Sequence, residues 1–154
     1  ETLAPANTAQ TRINALIELM KNETVDGARL IDNPVYRERL MQIQGQVMAM
    51  RFNELRVLSA RLNKDQDAGL ARMITKLEGT ELRHKLEGLA IDVMGEIGLS
   101  YDDNPHLRNM GSWQREYMYF LGLIIGGGTS QIQKNIISER GLDMPREPKF
   151  DKAR

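Results

Sequence analysis

The sequence predicts an all-α fold, an up-and-down helical bundle, on three observations. Two long segments repeat apolar residues in steps of three and four, only a short polar turn separates them, and β-branched residues are too sparse to form an alternating strand. Helices are expected near 10–22, 34–62, 66–97, 112–125 and 129–140.

The first segment places Ile13, Leu16, Ile17 and Met20 on one face. Its polar beginning carries no start signal beyond Thr8 and Thr11, and Ala4 to Asn22 gives only about three to four turns, so it looks cut beside its partners. Apolar surface on its neighbours is then expected to lie bare, or to be covered by other parts of a longer chain. The second segment, from Pro34 to Leu62, repeats Leu40, Ile43, Val47, Met50, Leu55, Leu58 and Leu62. Asn63 to Asp67 is a polar turn, and Leu70, Met73, Leu77, Leu82, Leu86, Leu89 and Val93 lead to a stop at Gly95 or Gly98. Long helices joined by so short a turn lie antiparallel.

Ser100 to Ser112, rich in Asp, Asn, Pro and Gly, reads as a loop before a helix from Trp113 to Ile125. In the last segment Ser130 and Gln133 match a capping box, so the helix starts at Thr129 or Ser130 with Ile132, Ile136 and Ile137 on its apolar side. Gly141 is expected to close it in the left-handed conformation, and Pro145 prevents resumption.

At 154 residues the chain reads as one domain, 1–154, large enough to bury roughly 70% of its unfolded surface. Equal numbers of basic and acidic residues, 21 each, argue against a nucleic-acid footprint. No stretch approaches the roughly 20 apolar residues of a membrane span, and Glu1 to Gln10 lacks the apolar core of a signal peptide. The absence of cysteine excludes a disulfide framework and thiol catalysis, and a cytoplasmic location is expected.

Several constellations have a plain alternative. Glu81-Leu82-Arg83-His84 is half of a di-iron bundle motif, but only one copy exists and His106 sits in a loop, so no metal is expected and His84 reads as solvated surface. The nine methionines, among them Met41, Met48, Met50, Met73 and Met94, read as core filler rather than as an adaptable binding surface. Tyr101, Trp113, Tyr117, Tyr119 and Phe120 could wall a flat ring or pack the bundle end, and packing is favoured. Glu38-Arg39 and Glu147 to Arg154 read as solvated charge.

The stretch Gly126-Gly127-Gly128-Thr129-Ser130-Gln131 has chemical potential. Successive N–H groups in a glycine-rich turn form a concave donor surface, and the first turn of the following helix adds unpaired N–H groups and a positive dipole end. An anion could sit there, although a glycine run before a helix is more often only a loop.

Positions 127 to 142, Gly-Gly-Thr-Ser-Gln-Ile-Gln-Lys-Asn-Ile-Ile-Ser-Glu-Arg-Gly-Leu, resemble the C-terminal signature of the acyl-CoA dehydrogenases. Trp113 to Tyr117, and Asp32 to Leu40 at the opening of the second helix, are similar to bacterial members, and the resemblance extends over most of 12 to 146. It implies the C-terminal helical domain of a larger chain that holds FAD, acts on an acyl-CoA and forms homo- or hetero-oligomers through this domain. It carries Thr129, Gln131 and Gly128 over as flavin-contacting positions, with Gly95 near the adenosine half. Many members hold the catalytic glutamate just before the Gly-Thr pair, a position occupied here by Gly127, so the resemblance implies no catalytic residue in this segment. Asp92 and Glu96 stand where the family commonly has Gln and Gly, bringing negative charge toward a pyrophosphate. Where many members carry Arg-x-x-Phe-Gly, Lys21 to Gly27 offers Lys21 as the nearby cation. Three readings follow: a dehydrogenase domain whose base lies elsewhere, the non-catalytic subunit of a heteromeric dehydrogenase, and a helical interaction module without cofactor.

Overall fold

The computed structural model describes residues 5–64, 69–101 and 104–146. The expected start of the third helix at Gln66, most of the polar turn before it, and the charged tail from Glu147 lie outside the described residues.

Helix α1, Pro5–Asn22, opens on a proline whose missing N–H costs nothing at a helix start. Its 18 residues make about five turns, more than the sequence suggested. A two-residue hairpin follows, in which β1 (Thr24–Val25) pairs antiparallel with β2 (Ala28–Arg29). This strand pair was not expected. Asp26 and Gly27 turn it with φ of 52° and 79°, and an Asp-Gly pair is the short-range signal for such a turn.

Helix α2, Pro34–Leu62, starts where the Asn33 side chain accepts from the Val35 N–H at 3.0 Å. Helix α3, Gly69–Met94, runs back along it. Leu40, Ile43, Val47 and Met50 of α2 meet Leu82, Leu86, Leu89 and Val93 of α3 beneath Ala6, Ala9, Ile13, Leu16 and Met20 of α1 in one core. The predicted stripe of α2 continues, but its burial does not. Leu55, Leu58 and Leu62 are exposed because α1 begins beside Glu54, whose Oε1 accepts from the Ala6 N–H at 3.0 Å. The methionines divide in the same way: Met20, Met50 and Met94 are core, whereas Met41 and Met48 are exposed.

Helix α3 ends at Met94, short of the expected 97 but at the first of the two expected stops, Gly95. Gly95 takes φ 56°, and a tight 3-10 stretch runs to Leu99. Gly98 is required there, since a Cβ would lie 2.3 Å from the Ile91 carbonyl oxygen. Asn109, Met110 and Gly111 then form a left-handed turn, with φ of 48°, 52° and 71°, before α4, Ser112–Ile125. Arg108 clamps this turn to the end of α1 through Glu23, whose hydrogen bonds and then whose charge hold the guanidinium in its charged form.

One buried carboxylate joins three helices. Glu87 on α3 has no exposed surface and accepts from Arg12 of α1, Nε to Oε1 at 2.9 Å and Nη2 to Oε2 at 2.5 Å. Arg83 Nη2 reaches Glu87 Oε1 and Glu116 Oε2 of α4, both at 3.1 Å. Aromatic rings cover both cations. Arg12 lies 3.7 Å from the centroid of buried Trp113, and Arg83 lies 4.4 Å from that of Phe120.

Leu86→Ala, deep in this core, should cost about 2–5 kcal/mol. Leu58→Ala, at 52% exposure, should stay within about 0.5 kcal/mol. Urea unfolding of the purified chain measures both, and equal losses would mean that the carboxyl half of α2 is covered in solution.

Candidate functional site

Helix α4 ends at Ile125, and the Gly126 N–H closes its last turn on the Gly122 carbonyl at 2.9 Å, so this donor is unavailable to a ligand. Gly127 and Gly128 follow with φ of 68° and 95°, a region that an L side chain enters only with strain. Two side chains hold the turn by its carbonyls. Lys76 Nζ donates to the Gly128 oxygen at 2.6 Å, and Gln133 Nε2 donates to that of Gly127 at 2.8 Å. Among the described residues no acceptor pairs with the N–H groups of Gly127, Gly128 or Thr129.

The capping differs from the expected box. Thr129 is the cap, its Oγ1 accepting from the Ile132 N–H at 3.3 Å, while Ser130 is buried as the first helical residue. Gln133 fixes the glycine turn instead of completing a box. Helix α5 spans only Ser130–Ile136 and passes into a π-turn, Ile137–Gly141, so its dipole adds little and the turn's own N–H groups are the principal donors. Gly141 is not left-handed; Asp143 takes that conformation, at φ 50°. A Cβ on Gly141 would meet Leu70 Cδ1 at 2.7 Å, so a side chain there would push the Leu70 tip aside.

These residues fit the anionic part of a bound nucleotide. Three N–H groups are unpaired among the described residues, the Thr129 hydroxyl retains its proton for donation, Gln131 is exposed, and the Lys76 side chain lies alongside. A Cβ on Gly127 would approach only Lys76 Cε, at 3.9 Å, so space is open there. With no side chain, Gly127 offers no base.

The structure does not bring Gly95 to this corner. Lys76 marks the corner near the amino end of α3, and Gly95 follows its carboxyl end. At 1.5 Å per residue the two lie roughly 28 Å apart along the helix. The space over Gly95 is open. Asp92 beside it is paired with Arg39 Nη2 at 2.6 Å, so its charge is partly balanced, contrary to the sequence-based expectation; Glu96 is exposed. Lys21 pairs with Glu18 at 2.8 Å.

The remaining candidates are engaged in packing. His84, read as solvated surface, is partly exposed and stacks on Tyr117 at 4.4 Å, with Nδ1 3.3 Å from the Tyr117 carbonyl. The described residues contain no group of three His, Cys, Asp or Glu placed to hold a metal, and no helix long and apolar enough to cross a membrane. Of the aromatic set, Trp113 and Phe120 pack under arginines, while Tyr101 and Tyr119 are exposed.

A family model described as acyl-CoA dehydrogenase, C-terminal domain, matches residues 2–142. The acyl-CoA dehydrogenase IpdE1 of Mycolicibacterium smegmatis is 35% identical over 134 residues, which cover 87% of this chain and 30% of that protein. The fold recurs in the ChsE4-ChsE5 complex of Mycobacterium tuberculosis, with a TM-score of 0.78 at 22% identity over 93% of this chain and 36% of that one. It recurs again in the FAD complex of PigA, at 0.74 and 17% identity over 91% and 34%.

Thr129→Ala removes the α5 cap and should destabilise the chain by about 1 kcal/mol. Thr129→Ser keeps the acceptor and should recover most of it. Denaturation midpoints of the two variants check this, and equal stability of both with the parent would show that the hydroxyl is not the cap.

Proposed function

The chain belongs to the acyl-CoA dehydrogenase family as its C-terminal helical domain, and on that premise we propose that it serves a cytoplasmic FAD-dependent dehydrogenase whose catalytic base lies outside these 154 residues. The chain spans 30% of the length of its relative IpdE1, so the rest of the flavin site and the thioester site belong to other parts of the protein. The observation that carries the reading is the corner at 127–129, with two left-handed glycines, carbonyls tied down and N–H groups without acceptors among the described residues.

In this reading the corner holds one flavin by its N–H groups, with Thr129 donating its hydroxyl proton and Gln131 adding an amide. A flavin held there would supply the acceptor for the hydride lost from the acyl β-carbon. Lys76 orients the turn through the Gly128 carbonyl and contributes positive charge. The far end of α3, at Gly95, serves a different flavin, held mainly by a neighbouring subunit. The bare face of α2, with Met48, Phe52, Leu55 and Leu62, supplies apolar surface for association, since large exposed patches are unusual in monomers.

Gly127 also favours a second reading. A subunit lacking a side chain at the base position would act as the non-catalytic member of a heteromeric dehydrogenase, completing a flavin site for its partner. Both readings predict that this chain alone does not turn over acyl-CoAs.

In the full-length protein, Gly128→Val should lower flavin retention tenfold or more, equivalent to about 1.4 kcal/mol. The new Cβ would sit 2.9 Å from Gln133 Nε2 in a backbone conformation that valine disfavours. Gly45→Ala, where a Cβ meets nothing within 4 Å, is the control. Flavin absorbance per protomer after gel filtration, beside far-ultraviolet circular dichroism, reads the outcome. Full flavin in a folded Gly128→Val protein would reduce the corner to a turn between helices and favour the interaction module.

A further inference from the structure

A second feature adjoins the corner through Lys76, which lines it and bonds the Gly128 carbonyl. The amino end of α1, the carboxyl half of α2, the amino half of α3 and Phe120 of α4 enclose an open cleft of about 710 Å³. Its lining carries four cationic side chains, Arg61, Arg72, Lys76 and Arg83, against one carboxylate among the described residues, Glu54. That carboxylate already accepts from the Ala6 N–H. Val57, Phe120 and the aliphatic stems of the cations supply apolar wall between the charges.

Arg83 makes the site more than a patch of surface charge. Only 8% of it is exposed, and its Nη2 serves both Glu87 and Glu116. Its Nε is buried with no partner, and no described residue accepts from Nη1. Nε is enclosed and beyond the reach of a ligand, whereas Nη1 is neither paired nor enclosed among the described residues, so this guanidinium keeps one charged donor for an acceptor in the cleft. A carboxylate oxygen suits such a donor.

We propose that this cleft binds the anionic end of an otherwise apolar ligand: a carboxylate at the end of the acyl group remote from the thioester. This identification of substrate class rests on the dehydrogenase reading. Lys76 lines the cleft and holds the Gly128 carbonyl, so the two sites adjoin. An acyl chain with its reacting carbons at the corner can extend into the cleft, where Arg72 and Arg83 meet its free carboxylate. Among the described residues Arg61, Arg72 and Lys76 make no ion pair, and Glu54 is the one carboxylate in this lining.

The test uses the purified chain and no flavin, so its outcome is independent of whether the corner holds a cofactor. Decanoate and its neutral analogue decanamide are titrated by calorimetry. Decanoate should bind at least tenfold more tightly, and Arg72→Gln should abolish the difference while leaving circular dichroism unchanged. Arg83→Lys, which keeps the charge but loses the planar fork, should weaken decanoate severalfold and leave decanamide unaffected. Equal affinity for the two probes, binding of neither, or an Arg72→Gln variant that still discriminates between them would overturn the proposal. A tenfold preference for decyl phosphate over decanoate would also overturn it, assigning the cleft to a phosphate.

Discussion

A carboxylate with no exposed surface, Glu87, sets the arrangement of the bundle. A charge moved out of water is tolerated only when it is paired and hydrogen-bonded, and here the partners come from two directions. Arg12 reaches it from α1 with a bidentate fork, and Arg83 of α3 links it to Glu116 of α4. Apolar burial could be satisfied by several rotations of α1 over the α2–α3 pair, because side chains of similar size can exchange places at modest cost. The ionic cluster fits only one of them. Losing either arginine would leave buried charge unbalanced, a loss of about 3–5 kcal/mol for such pairs.

Once α1, α3 and α4 are locked, the positions available for chemistry follow. Helix α4 directs the chain into the glycine turn, and α3 supplies Lys76 to hold that turn. The same α3 ends at Gly95, roughly 28 Å from Lys76, which separates the carried-over flavin positions into two places. Arg83 belongs both to the core cluster and to the cleft wall, so the cationic cleft is built from the same element that orders the fold.

Much of this was legible in the sequence. The apolar period located α2 and α3, and the run of glycines before Thr129 located the corner, because both depend on local backbone and pattern. What pattern could not show was cover. Leu55, Leu58 and Leu62 continue the stripe of Leu40 to Met50, yet the described part of α1 begins at the level of Glu54 and nothing described lies over them. The Ser130–Gln133 box was a true spacing with the wrong partners, since the backbone turns one residue earlier and Gln133 is drawn to the Gly127 carbonyl. The Asp26-Gly27 pair is a hairpin signal lying between two expected helices, but its strands are only two residues each, too short to show alternation. The Glu87 cluster pairs Arg12 with a carboxylate 75 positions away, the cleft brings Pro5 and Phe120 into one lining, and no local spacing announces such meetings.

The turn with donors to spare and the separation of the two ends of α3 support the proposal that this domain shares its flavins with neighbouring subunits. The central claim is that the corner of one subunit and the Gly95 end of another serve the same cofactor. A crystal structure of the full-length protein with its flavin bound addresses it most directly. The account predicts flavin density against Thr129 and Gln131 of one subunit, with its adenosine half against Gly95 of a neighbour. Flavin held wholly by one subunit, or lying away from residues 127–131, would contradict it.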